Sequence, residues 1–545
     1  MSTSKKSLFV TADGKNLAFT FAIVSSLFLL WGFCNGMIDV MDRHFQQALH
    51  LTLAQSAWVQ FAHWMGYFLM SLPAGWLAIK LGYKGGIIAG LLMVSAGGFW
   101  FIPATHIASF WAFLLGVCVI ASGLTFLETV ANPYTTVLGP KQYAATRINL
   151  AQSCNGLGWV FGPIAGMQFF YGKNAAGQDT GTQTIWIPYA GVAIVVLVLA
   201  VIFYFAYVPD IKTEDAYQLD EKEANEGAAA AAAAPRTVNR GPVYFLILGN
   251  IAALMCVFGM VLWLILAAVG AGPHLVGLAS RLPHPGSGAL TNEGAQLVVL
   301  CWAGVVAMVI AAAVLLPVVK RLSHHSIWSH EHFSGATLAQ FLYVAAQSGI
   351  FSFLINYMIA EPPGLSADWG TGWLHRWLET GKDSLLHITN QGASGLASVG
   401  FLFFLAGRGS GAALLRKFSA HKVLGLYGLL NVLFTFLVFC KLGWLSVACV
   451  FLSYFFMSIM FPTIFALGIF GLGVRAKKAS AYIVMGIVGG ALLPKLMGAV
   501  ADKYNMSTGF IVPMVCFVAI ACYGFCWPKL SRAESLHGIG ASGGH

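Results

Sequence analysis

Residues 125 to 134 read TFLETVANPY, and the carboxylate of Glu128 stands inside an otherwise almost wholly apolar stretch running from Ile107 to Leu138. A charged side chain at the centre of a bilayer costs at least about 2.5 to 3.5 kcal/mol, and acids kept there face a cavity or a partner. The rest of the chain places this stretch in a bilayer. Of 545 residues, 58% are hydrophobic and 9% charged, whereas about a quarter of a soluble domain is charged. Leu17 to Ile38, Ala57 to Ile79, Gly85 to Ala104 and Val243 to Gly270 hold no Asp, Glu, Lys or Arg. About 20 such residues span the hydrocarbon core as a helix. Only helices or closed barrels satisfy their backbone there, and these runs lack the alternation of a barrel strand. The chain reads as an all-α integral membrane protein.

Hydropathy gives 14 spans, beginning near residues 17, 57, 85, 107, 148, 186, 243, 295, 336, 393, 422, 442, 479 and 509. With a cytoplasmic N-terminus, most Lys and Arg residues fall in inside loops, among them Lys80, Lys84, Lys141, Arg147, Lys320, Arg321, Arg408, Arg416 and Lys417. That bias follows the positive-inside rule and puts both termini in the cytoplasm, the membrane being the cytoplasmic (inner) one. The formal charge of +10 is thereby read as topology and not as a nucleic-acid surface, because the basic residues are scattered. Asp42 and Arg43 read as a solvated pair at the outer interface. The ten cysteines show no CxxC pair, so neither a disulfide framework nor a metal site is indicated. No metal or cofactor is expected.

The segment DIKTEDAYQLDEKEANEGAAAAAAAP, residues 210 to 235, marks a linker. The expected units are residues 1–209, a six-helix bundle; 210–242, a cytoplasmic linker; 243–335, two additional spans and their loops; 336–528, a second six-helix bundle; and 529–545, a cytoplasmic tail. Two bundles joined by a linker suit a transporter. The additional spans are expected to be peripheral and structural. A long outside loop after Glu361 contains WLHRWLETGKDSLLHI, which reads as an amphipathic piece.

The polar residues inside the spans carry the function. Asp39 follows an apolar run on the first span, with Asn35 one turn before it. Glu128 has Thr125 at i−3 and Asn132 at i+4 on one face. The fifth span opens with Asn149, Gln152 and Asn155, a stripe repeating every three residues, and Tyr343, Gln347 and Asn356 form a smaller set later in the chain. Clustered amides offer donors and acceptors to a polyhydroxylated ligand, and aromatic rings stack on a sugar face. The glycines of VMGIVGGALLP (Gly486, Gly489, Gly490) read as close-packing contacts. Burial disfavours the charged form of a carboxyl, so an acid in a cavity that opens and closes can take up a proton in one state and release it in another.

The stretches FLLWGFCNGMIDVMDRHFQQAL, LETVANPYTTVLGP, RINLAQSCNGLG, FMSIMFPTIFALGIFGLG and AYIVMGIVGGALLPKLMG resemble the L-fucose permease family of the major facilitator superfamily. The resemblance spans both halves and implies two six-helix bundles around one central sugar site, here with two extra central helices. It puts the family's essential acids at Asp39 and Glu128 and its sugar-site amides at Gln152 and Asn155. The asparagine usual before the first acid is Ile38 here, and the superfamily's loop aspartate is Ile79. The expected function is proton-coupled import of a hexose or deoxyhexose of fucose, glucose, galactose or mannose type by alternating access. Glu128 and Asp39 would couple the proton; Gln152, Asn155, Asn132, Asn35, Asn149, Tyr343, Gln347 and Asn356 would bind the sugar. Expected partners are a monosaccharide and membrane lipid, with no nucleic acid, and the protein would act as a monomer. The alternatives are coupling to Na⁺ and a sugar receptor that does not transport. No clustered nucleophile and base, HExxH or phosphate loop marks an enzyme.

Overall fold

The structure, a computed structural model, describes residues 9–10, 14–56, 58–139, 144–169, 184–209, 240–284, 291–322, 326–366, 377–381, 383–415, 418–470, 472 and 476–531. The acidic and alanine-rich linker at 210–239, His324, His325 and the tail from 532 lie outside the described residues.

Uncharged runs that cannot reach water must close their backbone hydrogen bonds internally, and they do so as helices. The first half holds α1 (Ala18–Ala48), α2 (Trp58–Ile107), α3 (Phe110–Val137), α4 (Ala144–Phe169) and α5 (Trp186–Phe205). Then come α6 (Arg240–Ala268) and α7 (Asn292–Lys320). The second half holds α8 (Glu331–Ala360), α9 (Asn390–Leu415), α10 (Ala420–Phe439), α11 (Trp444–Met457), α12 (Met460–Ile469), α13 (Ala476–Met485), α14 (Gly489–Lys503) and α15 (Ile511–Ser531). The helix starts follow local chemistry: at α7 the Thr291 hydroxyl accepts the Gly294 N–H at 3.1 Å, with Glu293 in the first turn.

Among the described residues, 12 helical stretches are long and apolar enough to cross a membrane, two fewer than hydropathy suggested. The first arm of α2 and α4 are not among them. Both are diluted by polar side chains, Gln60 and His63 on one and Gln152 and Asn155 on the other. The second and third expected spans are one run of helix broken only at Gly82, whose φ of 69° suits a residue without a Cβ.

Within the first half α2 packs on α3 and α5, and α1 on α4. In the second half α8 packs on α14 and α15, and α10 on α11 and α15. The halves meet where α4 lies against α9 and α1 against α8. Glycines set the closest approach. A Cβ on Gly158 would stand 2.2 Å from the Leu29 carbonyl oxygen, and one on Gly32 would stand 2.0 Å from that of Asn155. The backbones of α1 and α4 therefore touch, as small residues allow in membrane bundles. Gly489 does the same against the Phe341 carbonyl, and Gly490 against the Trp64 indole, which agrees with the packing role expected of that glycine cluster.

Hydrogen bonds cross between the halves at the end of the molecule that holds His50. Arg43 Nε donates to Asn390 Oδ1 at 3.0 Å, the Leu53 N–H to Asp502 Oδ1 at 3.0 Å, and Ser394 Oγ to the Pro163 carbonyl at 3.0 Å. Arg43 thus reaches across the interface; the expected pair with Asp42 involves a side chain outside the described residues. Nearby, the expected amphipathic piece is a hairpin over its described residues: β1 (Leu378–Thr380) pairs antiparallel with β2 (Leu386–Ile388). Asp383 accepts from His387 at 3.0 Å, and that hydrogen bond holds its exposed carboxyl below the usual carboxylate range.

The helices α6 and α7 pack on each other and α6 leans on α8. Their outer faces are apolar and uncovered by protein, as at Val309 and Ile310. Several contacts reach inward: Asn250 Nδ2 donates to the Ser334 carbonyl at 2.9 Å, and Phe258 meets Phe68 edge-on at 6.2 Å. Trp263 of α6 stacks on Trp58 of α2 with centroids 5.8 Å apart, and the Lys495 ammonium of α14 lies 3.8 Å from the Trp58 ring and 4.8 Å from that of Trp263. An aromatic pair adds about 0.5 to 1.5 kcal/mol and a desolvated cation over a ring up to about 2 kcal/mol. Trp263→Ala is therefore expected to lower the melting temperature of the detergent-solubilised protein by several degrees, while Val309→Ala leaves it unchanged; equal effects would remove the contact's significance. Gly158→Ala, which overpacks by about 1 to 3 kcal/mol, is expected to destabilise far more than Gly304→Ala, whose added Cβ meets nothing within 4 Å.

Candidate functional site

A cavity enclosing about 750 Å³ of unfilled space, its mouth and the solvent in it included, lies between the two halves. Trp31, Asn35 and Ile38 line it from α1, Gln60, His63 and Trp64 from α2, and Glu128 from α3. Gln152, Asn155 and Trp159 of α4 complete that side. From the second half come Tyr343, Gln347, Ser348 and Phe351 of α8, Phe404 and Arg408 of α9, and Phe461 of α12.

The polar groups of the first half are buried yet incompletely bonded. Glu128 is 5% exposed, and its Oε2 has no hydrogen-bond partner among the described residues. Asn35 Oδ1 and His63 Nδ1 share that condition. A buried polar atom left unpaired costs about 1 to 3 kcal/mol, so three of them around one cavity mark a place where stability has been given up. Glu128 forms no ion pair with any described cation. Its neighbour Thr125 turns back on its own helix, donating to the Ala121 carbonyl at 2.8 Å. Asn155 Nδ2 donates to the Phe28 carbonyl at 3.3 Å, which ties α4 to α1.

Polar and aromatic contacts join the halves around the cavity. Trp64 Nε1 donates to Ser348 Oγ at 2.8 Å and to Gln60 Oε1 at 3.1 Å, and Ser348 Oγ donates to Gln60 Oε1 at 3.1 Å. Trp159 meets Phe351 edge-on at 5.5 Å and Phe401 at 4.9 Å. Arg408 donates from Nη1 to the Gln152 carbonyl at 3.1 Å and from Nε to that of Ser458 at 3.4 Å, its guanidinium 4.9 Å from the Phe404 ring. Weakly hydrated and planar, a guanidinium suits such a stacked site.

Of the residues expected in the site, Glu128, Asn35, Gln152, Asn155, Tyr343 and Gln347 line this one cavity. Tyr343 presents its ring, because its hydroxyl donates to the Met457 carbonyl at 3.0 Å. Asn356 lies apart from them. It is buried in α8 but absent from the lining, nine residues beyond Gln347 and so roughly 13 Å further along the helix. Asp39 lies on α1 and Asn132 and Asn149 on α3 and α4, but their side chains are outside the described set. Sequence reasoning missed His63, which reads as part of an apolar run, and placed Arg408 among the inside loops. A basic residue well inside the apolar stretch that begins near 393 was the available signal for Arg408.

Comparison with known proteins bears on this geometry. The Major Facilitator Superfamily profile matches residues 16–372. The chain is 28% identical to the L-fucose-proton symporter of Escherichia coli K12 over 92% of its length and 91% of that protein. It is 26% identical to a glucose/galactose transporter of Brucella abortus over 95% and 96%. A crystal structure of FucP, a Major Facilitator Superfamily transporter in the outward conformation, matches with a TM-score of 0.57 at 27% identity, covering 94% of this chain and 99% of that one. A D-xylose-proton symporter structure at 10% identity and TM-score 0.57 shares the fold. With a profile match over more than half of its length and a cavity between two helical halves, this multi-pass membrane chain belongs to the Major Facilitator Superfamily.

Proposed function

We propose that the protein imports a hexose or deoxyhexose together with a proton by alternating access. The observation that carries this reading is the buried Glu128 carboxyl, without an ion-pair partner among the described residues, lining the same cavity as Gln152, Asn155 and Gln347. A carboxyl away from water is tolerable when it holds a proton, and it becomes useful when the cavity opens and lets the proton go. Gln152 and Asn155 supply amide groups for hydroxyls, Trp159 and Tyr343 supply rings for an apolar sugar face, and Asp39 serves as the coupling or binding acid. The relatives named as L-fucose-proton symporter and glucose/galactose transporter support a monosaccharide as cargo. Coupling requires only that the sugar favour the protonated, closed form, since a ligand shifts an equilibrium by its differential affinity for two states.

The basic loops favour a cytoplasmic position for both termini in the inner membrane, with 14 crossings, the first arm of α2 and α4 included, and a monomeric carrier. In that orientation the hydrogen bonds at Arg43, Leu53 and Ser394 close the outer side. Reconstituted vesicles test the reading. An imposed pH gradient, acid outside, is expected to drive accumulation of labelled fucose, glucose or galactose at least tenfold above the gradient-free level. Glu128→Gln is expected to abolish that accumulation while preserving counterflow exchange. Undiminished proton-driven accumulation in Glu128→Gln would overturn the role of Glu128, and accumulation that follows Na⁺ at fixed pH would replace the proton by sodium.

A further inference from the structure

His63 is 2% exposed on the first arm of α2 and lines the cavity. Its ring meets Trp64 edge-on with centroids 4.7 Å apart and lies 5.1 Å from the ring of Tyr67. Those two neighbours fix the plane of the imidazole. Tyr67 is fixed in turn, because its hydroxyl accepts from Trp31 Nε1 across to α1. The His63 Nδ1 has no hydrogen-bond partner among the described residues.

Packing alone does not account for a histidine here. A phenyl ring would fill the same space without an unmet nitrogen, whose burial costs about 1 to 3 kcal/mol. The unmet atom also has company: Asn35 Oδ1 from α1 and Glu128 Oε2 from α3 are buried without a hydrogen-bond partner among the described residues, and all three residues line the same cavity. A neutral imidazole offers one donor and one acceptor, and the amide and carboxyl oxygens accept. Each hydroxyl of a sugar ring both donates and accepts. Adjacent hydroxyls can therefore answer several of these atoms at once, which an apolar or singly polar ligand cannot do.

We infer that His63 hydrogen-bonds a ring hydroxyl of the bound monosaccharide and sets which sugars the cavity accepts. The inference rests on the sugar-transport reading above. Discrimination follows from the cost of an unmet partner: a site built to bond a hydroxyl rejects the analogue lacking it, because the protein atom is then left buried and unsatisfied.

Calorimetric binding of fucose, glucose, galactose and the monodeoxy derivatives of whichever binds, to the purified full-length protein, tests it. Wild type is expected to lose about tenfold in affinity, the factor for one net hydrogen bond, for one particular monodeoxy derivative. His63→Phe is expected to lose the same factor for the parent sugar and nothing more for that derivative, and His63→Gln to recover part of the loss. This non-additivity is a readout that a purely structural histidine would not produce. His63→Leu, prepared alongside with circular dichroism to confirm folding, keeps the cycle closed if His63→Phe does not fold. Equal losses of His63→Phe or His63→Leu on every derivative, or no loss at all, would overturn the assignment while leaving sugar transport standing. A wild type that binds none of these sugars would overturn both.

Discussion

A carboxyl group cannot be placed among apolar helices without either a proton or a partner, and the protein leaves Glu128 5% exposed with no described cation at ion-pair distance. Much of the architecture answers to that constraint. The acid sits in the second half of α3, a helix packed against α2, and lines the cavity between the halves. Closing that cavity isolates the carboxyl from solvent. In the alternating-access reading proposed above, opening it restores solvent on one side only.

Two kinds of contact divide this labour. Inside a half, backbones meet directly at glycines: Gly32 and Gly158 leave no room for a methyl group between α1 and α4. Such contacts pack α1 and α4 tightly and hold Asn35, Gln152 and Asn155 on one packed pair of helices. Between the halves the contacts are side-chain hydrogen bonds and ring edges, as at Trp64, Ser348 and Gln60 or Trp159 and Phe351. Hydrogen bonds between membrane helices average roughly 0.6 kcal/mol. A handful of them can hold one state without locking it, which alternating access requires. Trp263 adds an indole from outside both halves to the Trp58 and Lys495 contact, giving α6 a hold on the same interface.

The residues that make the fold were legible because membrane helices are long and uncharged, a property visible one residue at a time. Glu128 was legible for the opposite reason, as a lone charge in such a run, and the amides at Gln152 and Asn155 by their spacing. The less legible parts share one cause: the cavity is made by helices that face each other, and facing is not written in any single segment. His63 is hidden because one polar residue among many apolar ones is ordinarily packing. The first arm of α2 and α4 fall short of the apolarity of the other spans because cavity-lining helices are the polar ones. Asn356 carries the same amide as Gln347 yet lies too far along α8 to reach the cavity, and the hairpin at Leu378–Ile388 has the alternation of a strand within a stretch that also reads as an amphipathic helix.

The measurement that bears most directly on a carboxyl shared between proton and sugar is the pH of a lightly buffered suspension of de-energised vesicles as the transported sugar is added. If each sugar enters with a proton drawn from outside, the medium turns alkaline on addition, in step with sugar uptake, and a protonophore abolishes the change. Sugar entering at the same rate with no change in external pH would contradict it.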